Sequence, residues 1–399
     1  MEIIYLLQDY LVPFLIILTI LVFVHEMGHY LIAKRCGVRI DAFSVGFGPE
    51  IFGWTDRTGT RWKFSAIPLG GYVKMFGDAD VTSRPMKTGD EPTAEELESG
   101  EHTGDWADGT ARPLTAAERS VSFHHKSLGQ RSWIVAGGPL ANFLLAIVIL
   151  TGLFAWHGQP TTPPVVTGVI AGSAAEEAGL QVGDRIVEIN GQEIQRFEEI
   201  RRIVQVGLDA PLDILVERDG RTAEVAARPQ LITMTDNLGN QYETARLGIQ
   251  AEGREFVRHG IVDSAWYAVE ETGDLTVATL NAVWQIIVGT RSADELGGPI
   301  RIAQMSGQVA EISVVSVVWF MAILSVNLGL INLFPVPMLD GGHLLFYGIE
   351  ALRGRPLGER AQEYGFRIGL ALVLSLFLFV TWNDLVRLKV IEYLVGLVT

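Results

Sequence analysis

The chain has 399 residues, enough for two or more domains, and its 46 Asp and Glu outnumber 31 Lys and Arg for a formal net charge of −15. With no bulk positive charge to neutralise a phosphate backbone, the balance weighs against a nucleic-acid partner. A single cysteine, Cys36, excludes internal disulfides and cysteine-rich zinc knuckles, which leaves His and carboxylates to hold any metal. Only 19% of residues are charged, 48% are hydrophobic and the mean hydropathy is +0.27, the balance of a membrane protein carrying a soluble part.

In chain order, an apolar run from Leu11 to Ala33, interrupted by His25, Glu26 and His29, predicts a first transmembrane helix within residues 1–34. Residues 1–10 contain Glu2 and Asp9 but no Lys or Arg, and no small-residue cleavage site follows, so the segment is expected to be retained rather than removed as a signal peptide. Residues 35–131 open with two alternating segments, Phe43 to Phe47 and Trp62 to Ile67, that predict a small antiparallel sheet next to the first span. The rest of this part includes residues 78–118, with eleven acidic and three basic residues and few large apolar ones, read as a mobile acidic insertion.

A second apolar run, about Trp133 to Trp156, predicts a span within 132–157. Residues 160–252 then alternate strand, turn and helix signals. A strand is expected at Val165 to Ile170, a helix at Ala174 to Leu180, a strand at Arg185 to Ile189 entering an Asn190-Gly191 turn, a helix at Phe197 to Gly207, and a strand at Leu212 to Arg218 entering Asp219-Gly220. Together these predict an α+β module. Residues 253–311 read as a membrane-associated connection, 312–343 as a third span with a proline-broken end, and 366–390 as a fourth. Four spans place both termini on one side. Lys34, Arg35 and Arg39 after the first span and Arg119, Lys126 and Arg131 before the second put the intervening loop in the cytoplasm, so the termini and the 160–252 module are expected outside. Arg353, Arg355, Arg360 and Arg367 agree with that orientation, whereas Arg387 and Lys389 do not.

The chemistry concentrates in His25-Glu26-Met27-Gly28-His29, which fits H-E-x-x-H. On a helix the two His share one face and suit zinc, with Glu26 in reach of a water as general base. Three ionisable groups inside an apolar span are costly unless paired or bound, which favours a metal site over a chance pentapeptide. Catalytic zinc takes three protein ligands, so a third is needed. Asp340 is the best placed, in the segment broken by Pro335 and Pro337; His343 is a rival, and Cys36 is suitable chemically but lies two helical turns past His29. Asn332 is a donor suited to a developing oxyanion. Asn332 bonding a neighbouring helix and Asp340 capping one are the plain structural readings of the same residues.

The pairing of this motif with Asn332-x-x-Pro335-x-Pro337-x-Leu339-Asp340-Gly341-Gly342 resembles the site-2 protease family of intramembrane zinc metalloproteases, in particular the bacterial regulator of sigma-E proteases. Phe43 to Pro49, Ile67 to Met75, Gly138-Pro139-Leu140-Ala141-Asn142-Phe143 and Gly297 to Ile300 match further segments of that family. The resemblance implies a Zn2+ cofactor held by His25, His29 and Asp340, Glu26 as base and Asn332 in contact with substrate. Residues 173–180, 183–186 and 189–191 resemble a bacterial, circularly permuted PDZ domain, which implies a peptide-binding loop at Arg246-Leu247-Gly248-Ile249 able to receive a C-terminus.

The expected protein is therefore a polytopic α-helical membrane protein with a membrane-associated β-hairpin sheet and one external PDZ module, in a bacterial inner membrane. Its expected reaction is hydrolysis of peptide bonds in or beside the transmembrane segments of single-span proteins, for example a pre-cleaved anti-sigma factor or a signal-peptide remnant. An edge strand from Phe64 to Tyr72, with Ser65, Ile67, Gly70 and Gly71, is expected to hold the unwound substrate by β-addition. Membrane lipid is the other expected partner. The rival readings are a zinc-dependent transporter or sensor, which has no need of Glu26 beside the metal, and a non-catalytic PDZ scaffold, which predicts a damaged ligand set.

Overall fold

A computed structural model describes residues 7–77, 114–207, 210–235, 241–253, 255–289, 297–355 and 357–387. The expected acidic insertion lies outside the described residues from 78 to 113, as do the last residues of the expected fourth span. In chain order the main elements are α1 (Val12–Arg35), β1 (Ile40–Thr55), β2 (Arg61–Met75), α2 (Leu128–Trp156), β3 (Arg185–Ile189), α3 (Phe197–Gly207), β4 (Leu212–Arg218), β5 (Arg221–Ala227), α4 (Ile261–Ile287), α5 (Pro299–Ile312), α6 (Val314–Asn332), α7 (Asp340–Arg353) and α8 (Glu359–Arg387). They form two units: residues 1–149, 270–279 and 294–399 make the first, and residues 150–269 with 280–293 the second.

Among the described residues, four helices are long and apolar enough to cross a membrane: Asp9–Arg35, Leu128–Trp156, Val314–Asn332 and Arg360–Val386. Pro13 sits in the first turn of α1, where a missing N–H is harmless, and Lys34 and Arg35 sit in its last turn, where they complement the helix dipole. Lipid is as apolar as Leu, so such helices associate through close packing rather than the hydrophobic effect. Ile17 and Leu21 of α1 accordingly pack with Phe320 of α6 in one buried cluster, with Leu145 of α2 against it. Small residues bring α1 and α2 still nearer: a Cβ on Gly137 would lie 2.8 Å from the carbonyl oxygen of Gly28.

The expected small sheet is more folded than its sequence pattern implies. The two long strands β1 and β2 bend so that Ala42, Phe43, Ser44 and Val45 pair on one side with Lys74, Val73, Tyr72 and Gly71 and on the other with Arg61, Trp62, Lys63 and Phe64. Residues 61–65 pair in addition with residues 50–55. Gly46 (φ +89°) and Gly70 (φ +116°) take the left-handed conformations that these bends need, and a side chain at Gly70 would strike the ring of Phe47. The expected edge at Phe64 to Tyr72 is corrected in part by this register. Phe64 has a partner on both sides and Ser65 pairs with Glu50, whereas residues 71–75 pair on one side only among the described residues. Fully buried Phe43 anchors the sheet to α1, stacked on Trp62 at 4.5 Å and edge-on to Phe23 and Tyr30 at 5.7 Å. At the turn, Asp56 accepts hydrogen bonds from Trp62 Nε1 (3.0 Å) and from the backbone N–H groups of Thr58 (2.8 Å) and Thr60 (3.0 Å). Burial alone would raise its pKa, but these donors outweigh it and hold the carboxyl below the usual range.

Two prolines end α6. Between Asn332 and α7 the chain turns through Pro335 and Pro337, and Met338 takes φ +90°, a conformation that costs a non-glycine residue about 1–3 kcal/mol. Gly341 and Gly342 let the start of α7 press against that turn: a Cβ on Gly342 would lie 2.6 Å from Pro337 Cα. Asp384 of α8 caps α5 by accepting from the N–H groups of Gly298 (3.1 Å) and Arg301 (3.0 Å).

The second unit contains an antiparallel sheet in the order Gln192–Glu193, β3, β4, β5, with α3 contributing Ile200 and Val204 to its core beside Ile186, Ile189, Leu212, Ile214 and Val216. β3, α3 and β4 have the expected bounds. Asn190 (φ +50°) and Asp219 (φ +52°) each precede a glycine with positive φ, the backbone of two-residue hairpin turns. Two local expectations are corrected. The strand at Val165 to Ile170 contracts to Gly168–Val169, paired with Ile249–Gln250, and the helix at Ala174 to Leu180 contracts to Ala174–Glu177, capped by Ser173 and followed by Gly179 at φ +80°. Below the sheet, Arg218 donates through Nε (2.6 Å) and Nη2 (2.7 Å) to the fully buried carboxylate of Asp184. These bonds hold Asp184 below the ordinary carboxylate pKa.

Candidate metal centre and catalytic cavity

His25 and His29 occupy successive turns of α1 and face the first residue of α7, Asp340. His25 Nε2 lies 3.2 Å and His29 Nε2 3.5 Å from Asp340 Oδ2, and the two Nε2 atoms are 3.2 Å apart. All three side chains are largely buried. Among the described residues this is the group of His, Cys, Asp and Glu whose donor atoms converge as a metal requires.

The donor set fits a divalent cation on three observations. His29 Nδ1 is 2.9 Å from the carbonyl oxygen of Ile134 and must donate to it, which leaves a lone pair on Nε2 pointing at the centre. Asp340 Oδ2 is buried without a hydrogen-bond partner although two imidazoles flank it. Gly138 of α2 forms a cradle there: a Cβ would lie 2.7 Å from His25 Nε2 and closer still to His29 Nε2.

These residues line a cavity of about 250 Å³ together with Glu26, Asn332 and the backbone of Gly71 to Val73. Glu26 follows His25 on α1 and lies under the sheet, where a Cβ on Gly71 would come within 3.1 Å of its Cγ. Gly71 therefore lets the single-paired row of β2 lie directly over the carboxylate. Asn332 reaches the same cavity from the last turn of α6. His343 borders the cavity too, but its ring packs on Phe366 at 5.4 Å and stands apart from the three converging donors. Cys36 is the C-cap of α1 and is likewise apart from them.

The remaining expected substrate residues lie elsewhere. Ser65 is buried with its Oγ 3.2 Å from Ser44 Oγ, Ile67 pairs with Phe47 on the exposed side, and Gly70 forms the bend. Leu247, Gly248 and Ile249 belong to the second unit, where Gly248 (φ +90°) packs against Ser173 and Ile249 pairs with Val169. Sequence reasoning gave no role to Gly138 and Asn142 of α2, although Gly138 abuts both imidazoles and Asn142 Nδ2 is 3.2 Å from His25 Nδ1. A Gly-Gly-Pro step and one carboxamide inside an otherwise apolar helix were the available signal.

A family model described as Peptidase family M50 matches residues 13–376. A Rhizobium meliloti protein is 46% identical over 382 residues, covering 94% of this chain and 96% of its own length; an Agrobacterium fabrum protein is 44% identical over 383 residues, covering 95% and 96%. Both have the words zinc metalloprotease in their names. Metalloprotease MmpA of Caulobacter vibrioides is 36% identical over 404 residues, covering 98% of each chain. Among solved structures, the PDZ domains of SdrC-like proteins of Listeria monocytogenes and Listeria innocua match 22% and 24% of this chain and 84% and 98% of theirs. Their identities are 19% and 23% and their TM-scores 0.18 and 0.19. The molecule is a multi-pass membrane metalloprotease. Within that class, the chain belongs to peptidase family M50.

Proposed function

We propose that this chain hydrolyses peptide bonds in or beside the transmembrane segments of single-span proteins, with zinc held by His25, His29 and Asp340. The observation that carries the reading is the convergence of three donor atoms at the floor of a cavity that also holds Glu26. Bound zinc would polarise the scissile carbonyl and acidify water. Glu26 takes the proton from the attacking water and returns it to the leaving amine. Asn332, at the cavity wall, donates to the carbonyl oxygen as charge develops on it. A substrate helix must be unwound first, because its carbonyls are bonded within the helix. Residues 71–75 supply the place for it: they pair on one side only and border the cavity, which supports β-addition along this row rather than at Ser65.

The same reading assigns the finer topology. The Lys and Arg residues flanking the first two spans support a cytoplasmic location for β1 and β2, an external location for both termini and the 160–252 module, and a bacterial inner membrane as the site. Phe47, Ile51, Phe52, Trp54, Phe64 and Ile67 of the sheet are exposed, an apolar surface suited to contact with lipid. The 160–252 module acts as a PDZ filter: its Leu247-Gly248-Ile249 loop receives a newly exposed C-terminus, and a bulky external domain on an untrimmed protein is turned away. Suitable substrates are proteins already trimmed outside the membrane, such as a pre-cleaved anti-sigma factor or a signal-peptide remnant. Zinc analysis of the purified protein tests the ligand set: His25→Ala, His29→Ala and Asp340→Ala each lower bound zinc, and retention by Asp340→Ala with loss by His343→Ala reverses the assignment.

A further inference from the structure

Asn142 stands in the apolar stretch of α2 with no exposure to solvent, and its carboxamide Nδ2 is 3.2 Å from His25 Nδ1. Its Oδ1 is buried without a hydrogen-bond partner. Its backbone carbonyl accepts from Ser325 Oγ at 2.8 Å, which ties this turn of α2 to α6 independently of the side chain.

The two zinc-site imidazoles thus have different supports. His29 donates its Nδ1–H to a backbone carbonyl, an acceptor only, so the neutral ring offers its lone pair on Nε2. His25 faces a carboxamide, which can donate or accept. With Nδ2 toward the ring, Nδ1 accepts, the ring proton sits on Nε2, and that N–H faces His29 Nε2 3.2 Å away. His25 then has no lone pair for a metal. With the carboxamide turned over, Oδ1 accepts from Nδ1–H and Nε2 presents its lone pair to the centre. The oxygen and the NH2 group are nearly equal in size, so the reversal needs no new space.

We propose that Asn142 is a positioning residue that sets the tautomer of His25, its carboxamide Oδ1 accepting from Nδ1–H so that Nε2 offers its lone pair to a metal. The proposal rests on the zinc reading above. An acceptor in this place raises the ligand's basicity and fixes the ring, and loss of such a partner commonly weakens metal binding about 10–100-fold.

The test is zinc content and the rate of zinc release to a chelator, measured on the full-length protein in detergent. Asn142→Asp, which can only accept, should hold zinc and release it more slowly than the wild type. Asn142→Leu, of similar size but with no acceptor, should release it about 10-fold faster. Ser325→Ala, which unties the same turn of α2 without touching His25, should match the wild type. A residue that only fills space predicts the opposite order, with Leu tolerated in an apolar helix and a buried Asp the most damaging. A folded Asn142→Leu protein with wild-type release overturns the proposal even if Asn142→Asp fails to fold. If the wild type holds zinc, His25→Ala loses it and Asn142→Leu keeps it, the role of Asn142 alone is refuted; a wild type without zinc refutes the metal reading as well.

Discussion

Gly138 stands so close to His25 that a methyl group on its Cα would lie 2.7 Å from Nε2. The metal centre therefore depends on the absence of a side chain in a helix that supplies no ligand. Gly138→Ala should expel zinc or force α2 away from α1, an overpacking cost of about 1–3 kcal/mol. Gly129→Ala, on the same helix with open space around it, should be neutral. Zinc content and thermal melting of the two variants check this.

The sheet register makes a prediction about substrate rather than enzyme. If residues 71–75 capture an extended substrate, its backbone N–H groups must face them at alternate positions. Methylating single backbone nitrogens along a peptide substrate should lower cleavage with a two-residue period. An effect confined to the scissile bond would place substrate binding elsewhere.

Asp184 and Arg218 predict how the second unit responds to acid. The folded pKa of Asp184 is depressed, so the stabilisation is present above the unfolded value of about 3.9 and is lost as pH falls through the folded one. Asp184→Asn should destabilise this unit by about 1–3 kcal/mol at neutral pH. Hydrogen exchange of β3 and β4 should show that difference shrinking below about pH 4. A constant difference across that range would mean the charge does not contribute.

Much of the second unit was legible because its determinants are local. Asn190-Gly191 and Asp219-Gly220 bound β3 and β4 through turns that need positive φ, and the apolar spacing of Phe197, Ile200 and Val204 marks α3. The three residues whose donor atoms converge, His25, His29 and Asp340, were also legible, since an i, i+4 pair and a Leu-Asp-Gly-Gly turn are short patterns. The double pairing of Ala42 to Val45 was not. It depends on contacts between segments about 20 to 30 residues apart, and alternation alone cannot say which row is left with a free side. Met338 at φ +90° was equally hidden, because it is imposed by the prolines and glycines packed around it.

The filter reading of the 160–252 module has its own outcome. Deleting residues 162–252 should raise cleavage of a substrate that keeps a large external domain and leave cleavage of a short substrate roughly unchanged. A recruiting module predicts a fall for both, and loss of activity on the short substrate with normal zinc content would sink the filter.

In the proposed mechanism Glu26 acts as a base beside a metal held by other residues. The direct measurement compares wild type and Glu26→Gln in matched lipid vesicles, scoring cleavage of a single-span protein and bound zinc in the same preparations. Equal zinc and a loss of cleavage of about 100-fold or more are expected. Undiminished cleavage by Glu26→Gln at full zinc occupancy would contradict that role for Glu26.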